Sequence, residues 1–590
     1  MTEQAPTDLP PEDPAAPTFW SRHAGRLWAA GVFFSTIVLT VLSFPPAHAP
    51  ELAYVFAVPA LLWAYQKPSF RLFALTLLGA QAVAWTIILG WLHNVTIGGL
   101  LLLGPVIGAW IGSWYLAAWW TLPRIVGRPS FTRILAMFGL AGLWVFIEWT
   151  RTWFLGGFPW LTLAASQWER MSILQVSSFT GAGGVSFVLV TMNIGLAAYA
   201  HRLLRENRPN LSCRSQEFLA AMFLLIVCVA TLIRPTFDRP RHAVSLGRFA
   251  FVQPYIPQAV KWDPSEGRGI LTVLENLTLA TRATNPDVIL WPEATTPLAI
   301  KGDASMRSWV EELDRTAGVP LVLGSIAIEP STKTAGPDDW FNGVFTVDPS
   351  TGLQPHSYAK RKLVPFGEFV PLRPLLGWLG KFVPIGDDFG RGTDHSPLVV
   401  NIHDRPLALG TLICYEDIFP SLARQSVLAG ADILTVHTNN GWFGTGGAAY
   451  QHAANAVLRA VETRRPVLRC GNGGWSGWID EFGSIRAVLA QTPAGEITSN
   501  PLRASEGTIY FRGTQTLAVS ADDRWIGRRS FYVDHGDWFV VMSIALAAAA
   551  IMALRQPLSP PRASGRFPSK ALAVTMQWKR AADWELIDGE

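Results

Sequence analysis

LALGTLICYEDIFPSLARQSVLAG, residues 407–430, is the stretch on which the reading of this chain turns. LALGTLI is a nearly continuous apolar run of the length that suits a buried strand, and DIFPSLARQSVLAG carries the apolar spacing of a helix. Cys414 therefore falls at a strand-to-helix elbow, with Glu416 and Asp417 just behind it. Such an elbow exposes a side chain close to a helix N-terminus, which favours thiolate, and leaves backbone N–H groups free to receive an oxyanion. A lone cysteine is ordinarily a small buried hydrophobe. Reading Cys414 as a working thiol thus depends on what the neighbouring strand ends supply.

Those strand ends emerge from the same pattern. FAFVQ (249–253), DVILW (287–291), PLVLGSIAI (320–328), GVFTVD (343–348), DILTVHT (432–438) and VLRC (467–470) read as strands. Amphipathic segments at 305–317, 417–430 and 450–464 read as the helices between them, and DPSTG (348–352) as a hairpin turn. The alternation predicts an α/β domain of two or four layers whose strand-end loops carry the chemistry. Two other strand ends carry charge: WPEATTP places Glu293 after DVILW, and YAKRKLVPFGEFVP holds Lys360 and, eight residues on, Glu368. Singly, each reads as an ordinary solvated loop charge.

The rest of the chain is far more apolar. With 49% hydrophobic residues, 26 Trp and only 16% charged residues, the chain cannot all face water, and part of it belongs in a bilayer. Apolar segments lie at 27–44, 52–66, 72–92, 98–122, 134–150, 181–200, 217–234 and 538–554, most of them reaching the ~17–25 residues a spanning helix needs. Segment 52–66 is short and holds Pro59. Lys and Arg sort the loops: Arg22 and Arg26, Lys67 and Arg71, Arg124, Arg128 and Arg133, then Arg202, Arg205, Arg208 and Arg214 mark every second connection as cytoplasmic. The alternate loops PPAHAPE and HNVTIG carry neither. The alternation needs segment 52–66 as a crossing. It predicts a disordered tail at 1–18, a seven-span region at 19–235, an extracytoplasmic domain at 236–530, a last span at 537–555 and a basic cytoplasmic tail at 556–590, with both termini cytoplasmic. The first apolar segment lacks a small-residue cleavage site, so no cleaved signal peptide is expected.

Composition also excludes several classes. A net charge of +4, without a basic stripe interleaved with aromatics, argues against a nucleic-acid partner. The four cysteines form no CxxC and no cluster at metal-ligand spacing, so neither zinc nor a disulfide framework is indicated, and no cofactor is expected. Cys470 follows a strand without an acid or base near it in sequence and reads as structural.

WPE, a Lys ahead of VPFGEF, and CYE, in that order, resemble the Glu-Lys-Cys triad of the nitrilase superfamily. VQPYIPQAVKWDP (252–264), GGFPWLTLAASQ (156–167), KRKLVPFGEFVP, ICYED and NGWFG (440–444), with seven spans before the domain and one after, extend the resemblance to the apolipoprotein N-acyltransferase family over roughly residues 20–555. The resemblance implies an αββα nitrilase-like sandwich outside a bacterial inner membrane, with Glu293 as general base, Lys360 as cationic stabiliser and Cys414 as nucleophile. It implies that Glu368 and Glu416 orient Lys360 and balance charge, and the Tyr415 N–H is an expected oxyanion donor. Trp262 is expected at the lipid entry, or as a packing tryptophan, and Trp442 as a substrate-binding residue. Glu148 and Arg151 line a headgroup site or form an i,i+3 pair, and FLGGFPWLTLAASQW (154–168) is an interfacial floor or an aromatic belt. The implied reaction takes an acyl chain from a phospholipid onto cysteine, then passes it to the α-amine of a diacylglyceryl-cysteine lipoprotein. A tethered amidase with the same triad, and a non-catalytic lipid- or lipoprotein-binding protein, are the alternatives. Two departures from the family pattern, Pro254-Tyr255 and Asn439-Asn440-Gly441, are expected beside the site rather than in it.

Overall fold

The computed structural model describes residues 19–205, 215–330, 338–370, 373 and 388–557. The expectations for residues 1–18, for most of the basic tail and for Cys213 fall outside these. The N-terminal half is helical: α1 (Phe19–Leu42), α2 (Val58–Tyr65), α3 (Phe70–Ile88), α4 (Ile97–Ile125), α5 (Ser130–Thr150), α6 (Ala182–Arg205) and α7 (Gln216–Leu232). Six of these are long and apolar enough to cross a bilayer, and α2 is the exception.

Segment 52–66 is broken into a 3₁₀ turn, Pro50–Tyr54, and the eight-residue α2. At 1.5 Å per residue α2 is only about 12 Å long, against a hydrocarbon layer of ~30 Å. A break in an apolar region leaves backbone groups that lipid cannot satisfy. Asn193 of α6 meets them: its Oδ1 accepts from Ala57 N at 2.8 Å and its Nδ2 donates to Ala53 O at 2.9 Å.

The second half is a sandwich. One six-stranded sheet has the order β12-β1-β2-β3-β4-β5, from β1 (Ala243–Gln253), β2 (Val288–Leu290), β3 (Leu321–Glu329), β4 (Asp339–Asp348), β5 (Gly352–Ala359) and β12 (Gly513–Asp522). The other has the order β11-β10-β9-β8-β7-β6, from β6 (Leu398–Ile402), β7 (Arg405–Ile413), β8 (Ile433–Thr438), β9 (Val467–Gly471), β10 (Gly477–Ile479) and β11 (Ile485–Val488). In each sheet the three central strands, β1-β2-β3 and β7-β8-β9, run parallel. Phe249, Val288, Val322 and Val344 of the first sheet meet Leu409, Ile413, Ile433 and Leu468 of the second in a shared core. Helices α8 (Gly267–Ala280) and α9 (Ala304–Ala317) cover the outer face of the first sheet, and α10 (Pro420–Leu428) and α11 (Ala448–Thr463) that of the second. The result is the expected αββα sandwich. The last helix, α12 (Trp538–Arg555), returns to α5, where Gly142 lies so close to α12 that a Cβ would meet the Ser543 carbonyl at 2.4 Å.

The amphipathic pattern at 450–464 predicts a helix with one wet face, yet α11 is buried along its whole length. Its polar face docks on the loops of the membrane helices. Gln451 Oε1 accepts from the indoles of Trp91 and Trp160 at 3.1 and 2.9 Å, while its Nε2 donates to the carbonyls of Pro45 and Ile88 at 3.1 and 2.9 Å. Asn455 donates to Trp160 O, and Glu462 accepts from Ala182 N. Polar side chains thus join the two halves by buried hydrogen bonds rather than facing solvent. Gln451→Met keeps the volume but strands four buried partners, each costing ~1–3 kcal/mol when unpaired. The expected outcome is a drop of several degrees in the unfolding midpoint in detergent, measured by intrinsic fluorescence.

Candidate active site

Glu293, Lys360 and Cys414 come just after β2, β5 and β7, so the sandwich brings three strand ends from two sheets to one place. Lys360 is 1% exposed. Its Nζ donates to Glu293 Oε1 at 3.2 Å and to Glu368 Oε1 at 2.9 Å. The Nδ2 of Asn342, on β4, bridges the same two oxygens at 2.9 Å each. Asn439 N donates to Glu293 Oε2 at 3.0 Å, and Val364 N to Glu368 Oε2 at 2.9 Å. Both carboxylates are thereby held in fixed orientations about one ammonium.

Burial alone pushes the Glu293 carboxyl up, but Lys360, Lys261 and the Asn342 hydrogen bond outweigh it and hold it below the usual range. Burial pulls Lys360 down, and the surrounding Glu293, Glu368 and Cys414 more than reverse it, so this lysine stays charged. The thiol of Cys414 moves the other way: burial and the adjacent Glu293 raise it to about 12 against the pull of Lys360. An ionised carboxylate thus sits beside a protonated thiol.

This differs from the elbow expected to favour thiolate. Cys414 does sit at an elbow, with φ of 49° in the left-handed region that a non-glycine residue rarely occupies. The chain then makes a single 3₁₀ turn, Cys414–Ile418, and α10 begins only at Pro420. One short turn supplies little dipole, and burial prevails.

Glu416 does not touch Lys360. It accepts from Tyr358 Oη, Arg361 N, Lys362 N and Ile413 N at 2.6, 2.7, 2.9 and 2.8 Å. Its carboxylate ties the backbone just past Lys360 to the strand that ends at Cys414, so its hold on Lys360 runs through the chain. Tyr415 donates its hydroxyl to Gly157 O at 2.8 Å and stacks on Phe158, whose ring stacks on Trp160. The 154–168 stretch therefore lies against the elbow.

Trp262 and Trp442 are 50% and 39% exposed. Glu148 and Arg151 are buried and grip the 158–163 loop: Glu148 Oε1 accepts from Leu163 N, and Arg151 donates to Leu161 O and Phe158 O. Cys470 is buried between the sheets, its Sγ within 3.4 Å of Leu290 O. Of the two departures, Pro254-Tyr255 abuts the 472–474 loop, with Tyr255 N donating to Asn472 O. The other is in the site itself, since the Asn439 backbone binds Glu293. Among the described residues no His, Cys, Asp and Glu cluster suits a metal ion.

Three further groups escape the sequence reading. Asn342 lies inside a strand with nothing to mark it. Lys261 is buried one residue before the quoted Trp262, and its Nζ donates to Glu293 O. His452, on α11, places Nε2 3.1 Å from Cys414 O and 2.9 Å from Asp417 Oδ1, which fixes the elbow from behind.

Comparison with known proteins covers both halves. The model of the apolipoprotein N-acyltransferase N-terminal domain matches residues 37–195, and that of carbon-nitrogen hydrolases matches residues 248–511. The apolipoprotein N-acyltransferase of Geobacter metallireducens is 30% identical over 484 residues, 80% of this chain and 89% of that one. Those of Shewanella oneidensis and Vibrio cholerae are 29% and 28% identical over 78% and 83% of this chain, and 87% and 94% of theirs. A helical half and a carbon-nitrogen hydrolase half in one order, with such coverage, place the chain in the apolipoprotein N-acyltransferase family.

Proposed function

We propose that this chain transfers a fatty acyl group from a membrane phospholipid to the N-terminal α-amine of diacylglyceryl-cysteine lipoproteins, through a thioester on Cys414. The observation that carries the reading is the ionised Glu293, held by Lys360 and Asn342, beside the protonated thiol of Cys414. Glu293 takes the thiol proton as sulfur attacks the ester carbonyl, and Lys360 with the Tyr415 N–H faces the oxyanion. Collapse breaks the ester C–O bond, and the lysophospholipid alkoxide leaves with the proton from Glu293. The lipoprotein amine then attacks the thioester carbonyl and loses a proton to Glu293. The new amide forms as the C–S bond breaks and the thiol is restored.

Substrate identity rests on location. Moving each acyl CH₂ out of apolar surroundings costs ~0.8 kcal/mol, so neither lipid readily leaves a bilayer for a soluble enzyme. Seven long apolar helices bring the site to the lipid instead. The alternation of basic loops supports a cytoplasmic position for both termini and an extracytoplasmic sandwich. Trp153, Phe154 and Leu155 are exposed at the edge of the loop that reaches Tyr415 and form the lip over which an acyl chain enters.

Purified protein mixed with phospholipid carrying a labelled sn-1 chain, without acceptor, tests the reading. Hydroxylamine-sensitive label is expected on the parent and on Cys470→Ala but not on Cys414→Ala; label that persists without Cys414 overturns the nucleophile. Glu293→Gln removes the base, and trapping slows by about 10²–10⁴-fold; an unchanged rate removes Glu293 from the mechanism.

A further inference from the structure

Lys261 is a second buried ammonium in this site, outside the Glu-Lys-Cys set. It is 4% exposed, its Nζ donates to the Glu293 carbonyl at 3.1 Å, and it lies 5.6 Å from the centre of the Trp262 ring. The carbonyl engages one of three ammonium donors. A buried cation so sparsely bonded is costly unless anions face it. The anion that acts on it is the Glu293 carboxylate, which offsets burial only in part, so Lys261 is drawn down to about 8.

The bonded carbonyl is well placed to matter. It opens a turn in which the next residue, Ala294, has φ of 43°. Thr295 N ties that turn to β3, donating to Gly324 O at 2.8 Å. A non-glycine residue holds such a conformation only where its surroundings impose it, and the peptide that Lys261 grips sets the direction of the Glu293 side chain. Charge points the same way. Two carboxylates, Glu293 and Glu368, face Lys360, which leaves the pocket one positive charge short without Lys261. With Lys261, the negative charge that passes from carboxylate to sulfur to oxyanion keeps a second ammonium in reach.

We propose that Lys261 is a positioning residue for Glu293, an inference that rests on the acyl-transfer reading above: it holds the Glu293 peptide in its left-handed turn and supplies the second positive charge against which the carboxylate works. The groups facing Glu293 are Lys360 from the end of β5, Lys261 from the 254–266 loop, Asn342 of β4, the Asn439 N–H and His437 of β8. His437 is buried and pushed down to about 4, so it is neutral through most of the range tested and charges only at its acid end. Glu368 faces Lys360, and Cys414 faces Glu293, Lys360 and Lys261.

The test is the rate of iodoacetamide alkylation of Cys414 between pH 3 and 9, read by peptide mass spectrometry, in full-length parent, Lys261→Met and Lys261→Arg protein in detergent. Cations lower the Glu293 pKa, so removing one raises it. The acid limb is therefore expected to move toward neutral by about one pH unit in Lys261→Met and to stay in place in Lys261→Arg. A limb that stays put in both variants overturns the inference, including the case where both react uniformly more slowly, which marks a purely structural lysine. Alkylation involves no lipid. An intact, Lys261-dependent limb without phospholipid labelling therefore sinks the acyl-transfer reading alone, and a fixed limb with labelling sinks this inference alone. A parent thiol that is neither alkylated nor labelled overturns both.

Discussion

Two carboxylates share one ammonium in a largely buried pocket, and the fold is arranged around that constraint. Glu293, Glu368 and Lys360 would each be costly to bury alone, and the desolvation penalty is offset only when the geometry is fixed and the remaining lone pairs are satisfied. Asn342, Asn439 N and Val364 N supply the missing donors. Those donors come from three different segments, so the cluster forms only once both sheets have packed. The proposed chemistry uses the same charges, with a carboxylate kept ionised by neighbouring cations withdrawing the proton of a buried thiol as sulfur attacks.

The second constraint is the join between sandwich and membrane helices. Helix α11 carries Gln451 and Asn455, which fasten Trp91 and Trp160, and His452, which touches the Cys414 carbonyl and lies against the Trp160 ring. One helix therefore supports the Cys414 elbow and the aromatic floor together. Tyr415 closes the link from the other side through Gly157. The 154–168 loop and the elbow are thereby in direct contact.

Much of this is legible from residues alone where the physics is local. Buried strands announce themselves as short apolar runs, and the strands at 249–253, 321–328 and 433–438 lie where those runs do. The elbow shows in the change of period at residue 414. Strands β5 and β12 do not stand out, since their mixed polar patterns, as in GLQPHSYA, resemble loop until a neighbouring strand pairs them. Site partners are harder still. Nothing local distinguishes Asn342 in a strand or Lys261 beside a tryptophan, because their roles exist only after distant segments meet. The hydrogen bonds that Glu148 and Arg151 make to a neighbouring loop are hidden for the same reason, since no periodicity records that loop. Short segment 52–66 shows the converse, a charge pattern that requires a crossing which helix length alone does not provide.

A transferase differs from a hydrolase in what discharges its acyl group, and exclusion of water from a floor built by Phe158, Trp160 and Tyr415 is the physical basis offered for that difference. The most direct test isolates the Cys414 acyl-enzyme in detergent and tracks loss of label in buffer alone and after addition of a diacylglyceryl-cysteine peptide. The account predicts label that persists in buffer and moves onto the peptide amine as an amide within the time of mixing. Loss to free fatty acid at the same rate with and without the peptide would contradict it.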